Sequence, residues 1–143
     1  MRSARLARAL ILIGVLLTPA WLPAEGPLPA AAPPVTIEAG PDGIQRVTII
    51  LDSYSYTPNH LIVQAGKPVE LTLTSVTTIV PHNFVLNDPA SGLTISEDIS
   101  AGKTGKITFT PTQNGTFLFF CDRKLPLFPS HRAKGMEGKL EVQ

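Results

Sequence analysis

Cysteine occurs once in the 143 residues, at Cys121, so no disulfide can form within the chain. A lone thiol needs another explanation, and metal ligation is one. Charge is also scarce. Asp, Glu, Lys and Arg supply 16% of the residues against 43% hydrophobic, which excludes a disordered polyelectrolyte and favours a packed body. The chain has three histidines and, apart from the initiator, one methionine, so it lacks the Met- and His-rich tracts of loose metal storage. No His-X-His pair is present to gather several metal ions, and no second cysteine to bridge a pair of them. No convincing amphipathic helix repeat follows the N-terminal segment. The length suits one domain around a single hydrophobic core.

Arg2, Arg5 and Arg8 precede an apolar run from Ala9 to Leu17, and Leu22-Pro23-Ala24 offers small-residue cleavage at Ala24. This order of basic, apolar and small segments predicts a secretory signal peptide over residues 1–24, hence a periplasmic protein. The apolar run is short for a bilayer span and Pro19 interrupts its continuation, so retention as an anchor is the lesser alternative. No cysteine near the cleavage point is available for lipidation. Residues 25–34, rich in Pro and Ala, read as an extended tether, and residues 35–143 as the domain. Without the leader, nine basic residues face eleven acidic ones, which excludes a nucleic-acid binder by bulk charge. Within that balance, Arg123, Lys124, Arg132, Lys134 and Lys139 cluster against Glu137 alone, a basic rim able to steer an acidic partner or an anionic surface.

Strand patterning dominates the domain. Val47, Ile49 and Leu51 alternate with Thr48, Ile50 and Asp52, and Val69, Leu71 and Leu73 alternate with Glu70, Thr72 and Thr74. Phe84-Val85-Leu86 and Leu93-Thr94-Ile95 are apolar pieces parted by the turn-forming stretch Asp88–Gly92. Ile107 and Phe109 lie on one face of a further strand. Asn114-Gly115 turns the chain into the aromatic run Thr116–Cys121, and Lys139–Gln143 closes it. A helical turn fits within Ser130–Met136. Short strands spaced by Gly, Pro and Asn turns predict an all-β Greek-key sandwich or barrel.

Four side chains carry chemistry: His82 in Pro81-His82-Asn83, Cys121 in Phe119-Phe120-Cys121, His131 and Met136. Taken singly, each has an ordinary reading as turn histidine, small buried hydrophobe or core filler. Taken together, one thiolate, two imidazoles and one thioether are the ligand types of a mononuclear copper electron-transfer site. Soft sulfur suits Cu(I) and imidazole suits Cu(II), so one cage can serve both oxidation states. His60, in Thr57-Pro58-Asn59-His60, lacks such company and reads as a surface histidine.

Four stretches carry a family resemblance: Pro58–Val69, Pro81–Phe84, Asn114–Cys121 and His131–Leu140. From about Tyr56 to Val142 the chain resembles the cupredoxins, the small blue copper proteins of the plastocyanin, pseudoazurin and azurin type. The resemblance implies that His82, Cys121, His131 and Met136 ligate one copper ion, and that Asn83 ties the two ligand loops together. It implies a monomeric carrier of single electrons, not an enzyme, whose redox protein partners, acidic ones included, dock beside the ligand loop. A copper chaperone or assembly factor is the alternative, and a copper enzyme with an opened site the lesser one. One departure stands out. Nine residues, Asp122–Ser130, separate Cys121 from His131, where family members place only a few. The typical His131-to-Met136 spacing predicts that this insert bulges outward and leaves the ligands in place. Its Leu125-Pro126-Leu127-Phe128-Pro129 core either folds over the site, forms an apolar docking patch, or packs as an ordinary loop.

Overall fold

The computed structural model describes residues 32–143. The expected signal peptide and most of the tether lie outside the described residues. Among these, two-residue alternation becomes ten strands: β1 (Val35–Thr36), β2 (Gln45–Asp52), β3 (Ser55–Thr57), β4 (His60–Val63), β5 (Val69–Ser75), β6 (His82–Asp88), β7 (Leu93–Ile99), β8 (Thr104–Phe109), β9 (Gly115–Phe120) and β10 (Glu137–Val142). The only helical pieces described are single 3₁₀ turns at Pro89–Ser91 and Arg132–Lys134, the second within the stretch where a helical turn was expected. No described helix is long and apolar enough to cross a membrane.

The strands form two sheets. One has the order β1-β4-β10-β9-β6-β7 and the other β3-β2-β5-β8. Both are mixed, since β4 runs parallel to β10 and β2 parallel to β5. The inward residues of the two sheets share one core. Ile49, Leu51, Leu71 and Leu73 come from the four-stranded sheet, and Leu61, Phe84, Leu86, Phe119 and Leu140 from the six-stranded one. Each such side chain contributes about 1.5–3 kcal/mol by leaving water.

The predicted sandwich and the alternation in β2 and β5 agree with the structure. The face of Ile107 and Phe109 is only half-buried, because β8 is the edge strand of its sheet. Strand β10 begins at Glu137, earlier than the apolar pattern indicates, because pairing with Phe120 extends it.

Strand register places the site. In β6, His82, Phe84 and Leu86 share the buried face; in β9 and just beyond it, so do Phe117, Phe119 and Cys121. β6 and β9 are antiparallel, with Val85 opposite Phe120 and Leu86 opposite Phe119. The start of β6 therefore meets the end of β9. Beneath that meeting point Phe84 and Phe119 stack with ring centroids 4.8 Å apart, and Tyr56 meets Phe119 edge-on at 5.3 Å.

Gly138 lies opposite Phe119 in the β9–β10 ladder. A Cβ there would press on the Phe119 ring and stand 2.5 Å from the Asn59 carbonyl oxygen. Gly138→Ala is expected to cost about 1–3 kcal/mol through overpacking, seen as a lower denaturant midpoint with an unchanged slope.

Candidate metal centre

His82 is the first residue of β6, Cys121 follows the last residue of β9, and His131 opens the 3₁₀ turn before β10. One ligand atom from each of the three lies within 4.8 Å of the others. The Cys121 Sγ to His131 Nδ1 separation is 3.3 Å, and the two imidazole centroids are 5.2 Å apart. Metal bonds of about 2.0–2.3 Å put two donors on a common ion roughly 3–4 Å apart, so these atoms already stand near ligating distance.

Hydrogen bonds hold each donor. Continuing the β6–β9 register sets Asn83 opposite Asp122, and the pair is clasped twice. Asn83 Nδ2 donates to Asp122 Oδ1 at 2.7 Å, and the Asp122 N–H donates to Asn83 Oδ1 at 3.1 Å. The Asn83 N–H also donates to Cys121 Sγ at 3.4 Å. The tie that the resemblance assigned to Asn83 is thus present in atomic detail. Met136, the fourth candidate, is fully buried, and its backbone joins both neighbours: Cys121 N–H donates to its carbonyl at 3.0 Å, and its own N–H donates to the His131 carbonyl at 3.0 Å.

The nine-residue insert bulges outward, as its spacing predicts. Its neck is closed where the His131 N–H donates to the Arg123 carbonyl at 2.8 Å and the Arg132 N–H to the Cys121 carbonyl at 2.9 Å. Its apolar centre is exposed rather than folded under, with Leu127 wholly in solvent and Leu125 and Phe128 more than half so. The basic rim is less free than the sequence suggests. Arg123 pairs with Asp98 and Arg132 with Glu137. His60 is not brought to the site. It sits on β4, partly exposed, with Nε2 3.2 Å from Glu141 Oε2.

The donor chemistry fits copper. His82 is fully buried, yet neither ring nitrogen has a hydrogen-bond partner. An unmet buried donor or acceptor costs about 1–3 kcal/mol, which a metal bond would offset. Burial, with a further push from His131, depresses the pKa of His82 to about 4, and burial with Lys134 and Arg123 lowers that of His131. Both rings are therefore neutral and ready to ligate at pH 7. Burial raises the pKa of the Cys121 thiol, so its proton must leave when a cation binds. Two imidazoles and a thiolate, with a buried methionine whose backbone is hydrogen-bonded to Cys121 and His131, match copper better than they match a hard, oxygen-seeking ion.

Two tyrosines escaped the sequence reading. Tyr54 meets the His131 ring edge-on at 4.9 Å, with Lys134 Nζ 4.0 Å above the tyrosine ring. Tyr56 is buried and donates its hydroxyl to the Asn83 carbonyl at 2.5 Å. Neither has a local motif. Each acts through a partner distant in sequence.

Two outcomes follow from this geometry. Asn83→Ala breaks the clasp and leaves Asp122 unpaired, so stability is expected to fall by about 1–3 kcal/mol in denaturant titration. In metal-free protein, folded His82 resists protonation that the unfolded chain accepts. Its contribution is present above the ordinary pKa of 6.5 and lost as the pH falls toward about 4. Denaturant midpoints measured between those values should decline with acidity, and His82→Gln should flatten the decline.

The family model of the cupredoxin-like domain matches residues 11–140. No curated protein matches the chain. Among solved structures, the metal-binding domain of the Cu(I)-exporting P-type ATPase CopA from Streptococcus pneumoniae D39 superposes with a TM-score of 0.58 at 23% identity, covering 78% of this chain and 96% of that one. Reduced auracyanin from Roseiflexus castenholzii gives 0.56 at 21% identity, covering 68% and 96%. Reduced rusticyanin gives 0.55 at 20% identity, covering 77% and 84%. At these identities the likeness establishes the fold alone. With the family match spanning most of its length, this chain belongs to the cupredoxin-like domain family.

Proposed function

We propose that this protein is a periplasmic carrier of single electrons that holds one copper ion between His82, Cys121, His131 and Met136. The observation that carries the reading is the convergence of three buried donors within 4.8 Å at one end of the sandwich, with both His82 nitrogens unpartnered. When bound, copper would supply a one-electron couple between Cu(I) and Cu(II).

The chain's part is to keep the donors where they are in both states. Strand pairing fixes His82 and Cys121, the Asn83–Asp122 clasp locks their segments, and the closed neck of the insert fixes His131. A frame with so little freedom keeps the reorganisation on electron transfer small. Phe84, Phe119 and Tyr56 line the core next to the site and exclude water from beneath it. His131 is the donor that also lines a surface cavity, which makes its ring the nearest route for an electron to a docked protein. The basic side chains around it favour an acidic partner, and the leader-like N-terminus supports the periplasmic setting.

Copper delivery is the second reading, supported by the fold shared with the metal-binding domain of a Cu(I) exporter. Burial weighs against it. Donors this enclosed leave a competing ligand little room to take the metal by stepwise exchange.

The test is optical and paramagnetic-resonance spectroscopy of the copper(II) form. The loaded wild type is expected to show intense visible absorption from thiolate-to-copper charge transfer, and Cys121→Ser to lose it. A loaded wild type without that band overturns the blue-copper reading. Reversible redox cycling without metal loss supports the carrier, whereas rapid surrender of copper to an acceptor supports delivery.

A further inference from the structure

The insert between Cys121 and His131 helps to build a hollow whose apolar walls the copper reading leaves unexplained. A cavity of about 430 Å³ opens at the ligand end of the domain. Ile79, Val80 and Pro81, from the connection between β5 and β6, line it together with Leu125, Phe128 and Pro129 of the insert. Ile79 is 84% exposed and Phe128 58%, so large apolar groups are held in water around a hollow.

The charged residues of the lining are all of one sign. Arg123, Lys124 and Lys134 contribute three cations, and no carboxylate lines the cavity. Arg123 is tied to Asp98 and Lys134 lies over the Tyr54 ring, but Lys124 makes no ion pair among the described residues. Arg123 also retains a buried Nε–H without an acceptor.

The backbone is strained at the same place. Among the described residues, only two non-glycine residues have positive φ, Tyr54 at 63° and Leu127 at 67°. Tyr54 lines the cavity, and Leu127 belongs to the turn between Leu125 and Phe128, which also line it. Leu127 is the third residue of a turn closed by the Phe128 N–H donating to the Leu125 carbonyl at 3.1 Å, so its positive φ belongs to the turn that shapes the insert. Pro126 and Pro129 stiffen the insert and its neck is hydrogen-bonded, so the hollow is formed before anything enters it.

We infer that this cavity binds a small amphipathic organic anion, with an aromatic or branched aliphatic body and a carboxylate or sulfonate head. Its volume falls in the range of about 300–1,000 Å³ typical of small-molecule sites. An inorganic anion would leave the apolar walls in water, and an uncharged hydrophobe would leave the cations unused. The occupant would rest against the same His131 ring that the carrier reading assigns to electron exchange. Binding itself requires no metal, so the failure of either reading is recognised separately.

Isothermal titration calorimetry of the full chain with anilinonaphthalene sulfonate tests the inference. One saturable site is expected, with the uncharged analogue phenylnaphthylamine bound at least about fivefold more weakly. Lys124→Glu should weaken the anionic probe by about fivefold or more, and Leu125→Ser with Phe128→Ser by more than about tenfold. These positions are exposed, and unchanged circular dichroism would verify that the fold is retained. Lys106→Glu, on the four-stranded sheet, should leave binding unaltered. Absence of saturable binding, binding indifferent to the insert substitutions, or equal affinity for the uncharged analogue overturns the inference.

Discussion

The site depends on a clasp between two residues that are not themselves candidate ligands. Asn83 and Asp122 face each other two residues beyond the last paired residues of β6 and β9, and exchange two hydrogen bonds there. Each stands next to a metal-ligand candidate, His82 on one side and Cys121 on the other. The same asparagine directs its backbone N–H at the cysteine sulfur and receives the Tyr56 hydroxyl on its carbonyl. One residue thereby sets the spacing of two segments 38 positions apart and supplies the sulfur with a donor. Partners of this kind orient ligands and tune the metal they hold.

Because the two segments are fixed there, the third can vary. The chain leaves Cys121, makes a long excursion and returns to His131. What matters to the site is that the excursion closes on itself. The Arg123–His131 and Cys121–Arg132 backbone hydrogen bonds do this, leaving the length outside the neck free of the ligand geometry. Loop-closure entropy rises only slowly with length, so the added residues are cheap to hold. A longer connection at the same neck can then carry apolar and basic groups to the surface without moving a donor.

Burial decides the protonation states. The environment that excludes water around His82 and Cys121 favours the neutral form of both, lowering the imidazole pKa and raising that of the thiol. A neutral imidazole is prepared to bind a cation, whereas a neutral thiol must first release its proton. Metal binding at this site is therefore coupled to loss of one proton from sulfur, and to little protonation change at nitrogen near neutral pH.

Much of this was legible without coordinates. Alternation in Val47–Leu51 and Val69–Leu73 identifies strands because side chains of a strand point to opposite faces in turn, and that periodicity is local. The same rule places His82 with Phe84, and Cys121 with Phe119, on faces that the aromatic residues require to be buried. The order of His, Cys, His and Met along the chain supplied the donor types. Other features had no local trace. Tyr54 and Tyr56 gain their roles from rings and carbonyls that the fold brings to them, and His60 meets Glu141 only because β4 pairs with β10. The composition of the insert showed an apolar, basic loop but not the hollow it encloses with Ile79–Pro81. Sequence alone determined which side chains exist and which face of a strand each occupies, since both follow from chemistry and a two-residue repeat. Distances between remote segments depend on the pairing of whole strands, and only the tertiary structure decided those.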